Sequence, residues 1–260
     1  MSPAVDSYAE RLERGAMLLR EASTVVAFTG AGISTESGIS DFRSPGGVWD
    51  RHRTVTYQEF VADPAARREY WEMKQELHRE LDRARPNRAH FALARLEKAG
   101  KLSCLVTQNI DGLHLDAGNS PGRLIEVHGT NRRALCLECG KTWPIGEIQK
   151  RLESGEDDPR CEECGGLVKP ATVMFGQAMP EEEISRAFEC AGRCDLFLMI
   201  GSSLQVEPAA SIPRAARQAG ARLIYVNRTA TPSDSLAELL FREPAGATLG
   251  RMVDRYHELS

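Results

Sequence analysis

Two short cysteine pairs carry the clearest chemistry in the chain. Cys136-Leu137-Glu138-Cys139-Gly140 and Cys161-Glu162-Glu163-Cys164-Gly165 repeat one pattern, C-x-x-C-G. Four thiolates at this spacing can close a tetrahedron around zinc, and a glycine after the second cysteine eases the tight turn of each knuckle. The segment they bracket is too short to hold itself together by burial, because units below roughly 40 residues usually need a staple. A structural zinc site can supply about 10–16 kcal/mol. Four sulfur ligands leave no open position, so the metal is expected to be structural rather than catalytic. A thioredoxin-like redox pair would need only one C-x-x-C.

Three polar clusters follow apolar runs. Gly30-Ala31-Gly32-Ile33-Ser34 comes after Thr24–Thr29; missing side chains there let phosphate approach backbone N–H groups. The third glycine of a dinucleotide fingerprint is absent, and no second strand precedes Asp50, which lies where a ribose carboxylate belongs. A dehydrogenase therefore fits poorly, and by itself the loop is equally a tight turn. The stretch Gly38 to Trp49 is glycine-rich and charged. It could fold over a ligand, with Arg43 on a phosphate and Phe42 beside Asp41 covering a ring, or be an ordinary surface loop. Gln108-Asn109-Ile110-Asp111 offers three polar side chains past a second run, as a helix-capping turn also would. His128 stands between Leu124–Val127 and Gly129; it could reach a crevice and act as a base near neutral pH, or be a satisfied structural histidine. His52, His78 and His257 lie among charges and read as surface residues.

These groups need a frame. Tyr8 to Glu21 has the spacing of an amphipathic helix, with Leu12, Ala16 and Leu19 on one face. Thr24–Thr29, Leu102–Thr107, Leu196–Ile200 and Leu223–Val226 are short, dense apolar runs of the kind buried in parallel sheets. Helical stretches separate them: Asn87–Ala99 with Asn87 as cap, Glu181–Cys190 and Pro208–Gln218. This alternation predicts a parallel α/β sheet, whose ligands bind at the carboxyl ends of the strands. Gly30–Gly32, Gln108–Asp111 and Gly201-Ser202-Ser203 should then share one crevice. Residues 40–85, a loop and two helices, and residues 131–170, with the cysteines, interrupt the pattern as parts of a smaller domain. The larger domain is assigned residues 1–39, 86–130 and 171–260. The acidic stretch Glu153 to Asp158 reads as a solvated connection.

Composition narrows the function classes. The chain has 260 residues, 42% apolar and 27% charged, with a net charge of −4. That is an ordinary globular balance, without the basic excess of a stable nucleic-acid binder. No export signal and no apolar run of membrane-spanning length is present, so a cytoplasmic location is expected. Seven cysteines without an export signal argue against a disulfide framework. Cys104, Cys190 and Cys194 read as small buried hydrophobes. Oligomeric state is open, and a monomer is compatible with everything above.

Taken in order, Gly30–Ser34, Gly38–Arg43, Thr107–Asp111, His128-Gly129, the cysteine pairs, Phe175-Gly176, Gly201-Ser202-Ser203-Leu204 and Asn227 resemble the sirtuin family, bacterial type, over nearly the whole chain. The resemblance implies a Rossmann-type sheet with helices on both faces, plus a small domain made of a four-cysteine zinc ribbon and a helical insertion. It implies an NAD-dependent protein-lysine deacylase that consumes NAD+ and releases nicotinamide and an O-acyl-ADP-ribose. Gly30, Ala31, Gly32, Gly201, Ser202 and Ser203 would hold phosphates and adjoining ribose, Asn227 the adenosine ribose, and Ala245 would lie near adenine. Asp41, Phe42 and Arg43 would belong to the cofactor loop. Ser34, Asn109, Ile110 and Asp111 would line the nicotinamide pocket, Gln108 would orient the reacting ribose, and His128 would be the base. The acyl oxygen would attack the ribose carbon and give an alkylimidate. Val173 and Phe175 would flank the lysine stem, with the backbone of Gly176 and Gln177 pairing to the peptide.

Two departures stand out. The family's Phe-Gly-Glu is Phe175-Gly176-Gln177 here, one charge fewer. Members that remove acidic acyl groups carry Tyr-x-x-Arg in the small domain, where the matching register gives Trp71-Glu72-Met73-Lys74. Lysine pairs a carboxylate less specifically than a bidentate arginine, and Trp71 offers apolar area. Deacetylation, extending to longer neutral acyl groups, is therefore expected over desuccinylation. Competing readings are a protein ADP-ribosyltransferase, which could dispense with the base, and a non-catalytic NAD-sensing module.

Overall fold

The computed structural model describes residues 6–39 and 52–259. Its larger sheet contains β1 (Val25–Thr29), β2 (Leu102–Thr107), β3 (Leu124–Glu126), β7 (Leu196–Ile200), β8 (Arg222–Val226) and β9 (Leu239–Phe241), in the order β3-β2-β1-β7-β8-β9. Every pairing is parallel. Order reverses beside β1, and a crevice opens at such a switch point.

Strand pleating divides the core. Val25 and Ala27 face one layer with Leu19, Leu93 and Leu249; Val26 and Phe28 face the other with Ala187, Phe197 and Ala216. The first layer is covered by α1 (Tyr8–Glu21), α4 (Arg88–Lys98) and α9 (Ala245–Leu259), the second by α7 (Glu181–Ala191) and α8 (Ile212–Gln218). The α1 boundaries match the sequence pattern because Ser7 and Glu10 form a reciprocal capping box. Asn87 caps α4. The expected Pro208–Gln218 helix splits into a 3-10 turn, Ala209–Ser211, followed by α8.

The smaller lobe is built on an antiparallel sheet, ordered β5 (Thr142–Pro144), β4 (Gly129–Cys136), β6 (Val168–Thr172), with α6 (Ile145–Glu153) beside it. The insertion supplies α2 (Tyr57–Ala62) and α3 (Pro64–Arg83). Trp71 of α3 packs against Ala134, Trp143, Ile148 and Val168, joining insertion to ribbon in one small core.

The acidic stretch is not merely solvated. Asp158 accepts from Arg67 Nε and Nη2 at 2.8 and 2.9 Å, and Arg67, 3% exposed, also donates to the Phe60 and Val61 carbonyls. A guanidinium so buried needs its carboxylate. Burial pushes the Asp158 carboxyl up, but bonding to Arg67 and the charges of Arg67 and Arg160 outweigh it and hold it below the usual value. Its contribution is therefore complete above the ordinary carboxylate range and fades as pH falls through the lowered folded value. Asp158→Ala should cost about 3 kcal/mol in urea unfolding followed by tryptophan emission, low in the range for a broken buried pair because two carbonyl partners remain. A loss below about 1 kcal/mol would place the pair with exposed ones.

Candidate active site

The loops after β1 and β7 nest in each other. Gly30 N–H donates to the Ile200 carbonyl at 3.0 Å and Gly32 N–H to the Gly201 carbonyl at 2.8 Å. Gly201 has φ +65°, and a Cβ there would lie 2.3 Å from Ile33 N. Only glycine permits both the conformation and the approach. The tip of β2 joins them: Gln108 N–H donates to the Thr29 carbonyl, and Gln108 Oε1 accepts from Ser202 Oγ at 2.6 Å.

His128 sits where the two lobes meet. Its Nδ1 lies 3.0 Å from the Gln108 carbonyl. A carbonyl only accepts, so the proton belongs on Nδ1 and the lone pair on Nε2, the tautomer a base requires. The His128 carbonyl accepts from Val173 N–H at 2.8 Å. This ties the histidine to the segment bearing Val173 and Phe175.

A second polar layer lies behind. Ser34 Oγ donates to Asp111 Oδ2 at 2.7 Å and accepts from Asn109 Nδ2 at 3.1 Å. His90 and His114, both at most 1% exposed, stand beyond with ring centroids 4.9 Å apart. His90 Nδ1 accepts from Asn87 N–H, so its proton sits on Nε2, 3.5 Å from Ser34 Oγ. Thr29 Oγ1 donates to Thr107 Oγ1 at 2.8 Å, so His114 Nε2 is the donor to Thr29 at 2.9 Å. Both imidazoles are held neutral. Burial drives His90 down to about 4 against the opposing charges of Asp111 and Glu36. Burial and the neighbouring His90 push His114 well below its ordinary value.

One cavity of about 600 Å³ runs between the lobes. Ala31, Gly32, Gln108, Asn109, Ile110 and His128 line it, as do Gly201, Ser202, Ser203, Asn227 and Ala245. Val173, Phe175 and Lys74 line its other side. Gly30, Ser34 and Asp111 stand just behind through the contacts above. Gly176 accepts from Gln58 Nε2, and Gln177 folds back on Met174. Asp41, Phe42, Arg43 and Asp50 lie outside the described residues.

Trp71 is corrected. It is 1% exposed, belongs to the ribbon core and does not line the cavity. Adjacent helical residues point about 100° apart, so a face that presents Lys74 presents Tyr70, Met73 and Leu77 instead. His52 is corrected too: it lines the cavity and bonds Glu76 at 2.7 Å. His90 and His114 were missed, although His90 stands at the third position of a helix capped by Asn87, on its apolar face.

The knuckles bring their sulfurs together. All four ligand atoms lie within 4.8 Å of one another, with Cys136–Cys164 at 3.5 Å and Cys139–Cys161 at 3.7 Å. A tetrahedron with zinc–sulfur bonds of about 2.3 Å has edges near 3.8 Å, so the cluster fits zinc.

A model of the Sir2 family matches residues 30–208, more than half of the chain. The chain belongs to the Sir2 family. A relative from Thermodesulfovibrio yellowstonii, named NAD-dependent protein deacetylase, is 53% identical over 95% of this chain and 96% of its own. One from Bradyrhizobium diazoefficiens, named NAD-dependent protein deacetylase 1, is 47% identical over 93% and 95%. A solved Sir2 complex with p53 peptide and NAD+ superposes with TM-score 0.86 at 34% identity, covering 96% of this chain and 99% of that one. Another, with deacetylated p53 peptide and 3′-O-acetyl ADP ribose, also scores 0.86 at 34% identity, over 94% and 97%. The Rossmann-type sheet, the small lobe and the four-cysteine cluster expected from the sequence are those of a Sir2 protein.

In this Sir2 chain Cys136 and Cys161 join the same core as Trp71 and Trp143, so the metal should staple the small lobe. Stripping it with a strong chelator should release about one zinc per chain, red-shift tryptophan emission and abolish activity, since such sites contribute about 10–16 kcal/mol. Retention of native emission after full zinc release would contradict a structural role.

Proposed function

We infer that this Sir2 protein is an NAD-dependent protein-lysine deacylase, with acetyl-lysine as its first substrate and nicotinamide and O-acyl-ADP-ribose as products. The observation that carries the reading is His128. It is oriented by the Gln108 carbonyl, on a cavity whose one wall is the nested glycine loops and whose other wall holds Val173 and Phe175. NAD+ supplies an activated ribosyl carbon with nicotinamide as leaving group. Gly30, Ala31, Gly32 and Gly201–Ser203 hold its phosphates, and Asn227 and Ala245 take the adenosine end. Asp41, Phe42 and Arg43 belong to the covering loop. Ser34, Asn109, Ile110 and Asp111 receive the nicotinamide, and Gln108, fixed by Ser202, orients the ribose. His128 Nε2 takes the proton from a ribose hydroxyl, a relay that frees the 2′ oxygen to attack the alkylimidate carbon, from which the lysine then departs.

The acyl-peptide is read as an added strand along Val173–Gln177, where backbone gives affinity and side chains little sequence preference. We assign residues 1–39, 86–130 and 171–260 to a large domain and residues 40–85 and 131–170 to a small one; the separate parallel and antiparallel sheets support this, although β4 and β6 each cross the boundary by two residues. We read the protein as cytoplasmic and acting without stable nucleic-acid binding. A net charge of −4, with no basic excess, supports the lack of stable nucleic-acid binding, and among the described residues no helix is long and apolar enough to cross a membrane.

Nicotinamide release from NAD+ should require an acetyl-lysine peptide and fall at least about 100-fold in His128→Ala, a general base's usual contribution. Release by neither protein, with acetyl, longer and acidic acyl groups alike, would leave an NAD-sensing module as the better reading.

Lys74 tunes the acyl preference. It is 6% exposed, with Nζ 5.4 Å from the Tyr70 ring, and burial together with nearby Lys169 lowers it to about 7. A lysine with a lowered value is cationic only below that pH. Acetyl and butyryl peptides should outpace succinyl peptide near pH 8, and the succinyl share should rise a few-fold as pH drops from about 8 to about 6. A dominant succinyl rate at the higher pH would refute the neutral-acyl assignment.

A further inference from the structure

We propose that Arg132 is a positioning residue for the nicotinamide end of the site, its guanidinium lying over the left-handed turn at Gly112 and thereby fixing the carboxylate of Asp111. The inference rests on the reading above that Asp111 belongs to the nicotinamide pocket.

The β4–β6 ladder is regular at Gly129 and again from Ala134, with a break in register between them. Such breaks re-aim a strand beside active sites. Here β4 turns away from its partner toward the loop after β2, and Asn131 N–H donates to the Ile110 carbonyl at 2.9 Å. The next residue, Arg132, donates from Nη2 to the Gly112 carbonyl at 3.1 Å and to Asp116.

Gly112 is what lets this happen. Its φ is +72°, it is buried, and a Cβ would lie 1.8 Å from Arg132 Nε. A side chain would therefore collide with the guanidinium as well as strain the turn. The same carbonyl also accepts from Leu115 and Asp116 N–H at the head of α5 (Leu113–Asp116). Asp111 Oδ1 accepts from Leu113 N–H at 2.9 Å while Oδ2 accepts from Ser34. The turn that Arg132 covers thus orients Oδ1, while Ser34, from the loop after β1, holds Oδ2. A tilt of that turn redirects the carboxylate.

The arrangement contributes little to global stability. Arg132 is 41% and Asp116 44% exposed, and exposed pairs are screened and weak. What the guanidinium holds is local: one turn and one carboxylate. Its charge also serves Glu126, whose carboxyl burial pushes up while Thr130, Arg133 and Arg132 oppose that and Asp111 adds to it.

The test is steady-state kinetics of nicotinamide release with nicotinamide inhibition. In Arg132→Ala, KM for NAD+ and the nicotinamide inhibition constant should each rise about 5- to 30-fold, the span of mutations that act through a neighbour. The kcat at saturation, KM for peptide and Tm should stay near parent values. Arg132→Lys should recover part of the effect, since a point charge reaches one acceptor but not both. Asp111→Asn is the control. If it shifts the nicotinamide constant and Arg132→Ala does not, the positioning role is overturned while the pocket stands. If neither shifts it, the pocket reading fails and the inference with it. Equal loss in every constant together with a lowered Tm would make Arg132 structural and overturn the proposal. Should Arg132→Ala not fold, Asp116→Asn removes the guanidinium's outer anchor and must show the same selective shift.

Discussion

The approach of two backbone turns, with Gly32 N–H on the Gly201 carbonyl at 2.8 Å, sets the position of everything else in the cavity. Strand order places β1 and β7 side by side at the point where chain direction across the sheet reverses. Their loops must then share one small space, and side chains on either would push them apart. Bare backbone fills it instead. The absent side chains leave backbone lining the space between the loops, so one packing constraint both closes the loops together and shapes the crevice. Gln108 extends this order to the neighbouring strand, because its amide oxygen bonds Ser202 beside the nest while its carbonyl orients His128. His128 is thus referenced to the glycine loops through a single residue.

The second lobe is tied to the same reference. His128 leads directly into β4, which ends at the first zinc ligand, Cys136. Val173 N–H on the His128 carbonyl returns the chain from the ribbon to the cavity. The ribbon therefore leaves and re-enters the large sheet at the histidine itself. Its fold is secured by the sulfur cluster and by Trp71, and neither reaches the cavity. Stability and chemistry occupy separate faces of the small lobe, joined where β4 breaks its register.

How much of this the sequence disclosed depended on whether a residue's role is local. The cysteine knuckles, the capped α1 and the parallel strands rest on spacing within a few residues, and their positions were legible. The Ser34–Asn109–Asp111 cluster was legible only through resemblance, since its members converge from loops far apart in sequence. Trp71 was misassigned because a one-residue shift on a helix turns a side chain from cavity to core. No local pattern separates Tyr70 from Trp71 when both are large and apolar. Asp158 read as solvent-facing because its partner, Arg67, lies in a different insertion. His90 and His114 were invisible for a related reason. Asp111, Gly112 and Asp116 flank His114, and Arg88 stands two residues before His90, so nothing in the local sequence marks either ring as buried.

Those two histidines explain how a carboxylate can be kept just behind the cavity wall. Asp111 needs donors, and Ser34 can give its proton to Asp111 only while its own oxygen is satisfied by Asn109, with His90 Nε2 close by. A charged imidazole there would be costly to bury and would draw the Asp111 charge toward itself. Burial holds His90 neutral despite that nearby charge. The same enclosure leaves His114 Nδ1 without a hydrogen-bond partner, a cost a purely structural core would avoid by using an apolar residue. The chain tolerates an unsatisfied nitrogen because the Thr107–Thr29–His114 chain lets two strands carry hydroxyls into the core directly beneath the site. The polar layer gives up stability to keep one carboxylate oriented.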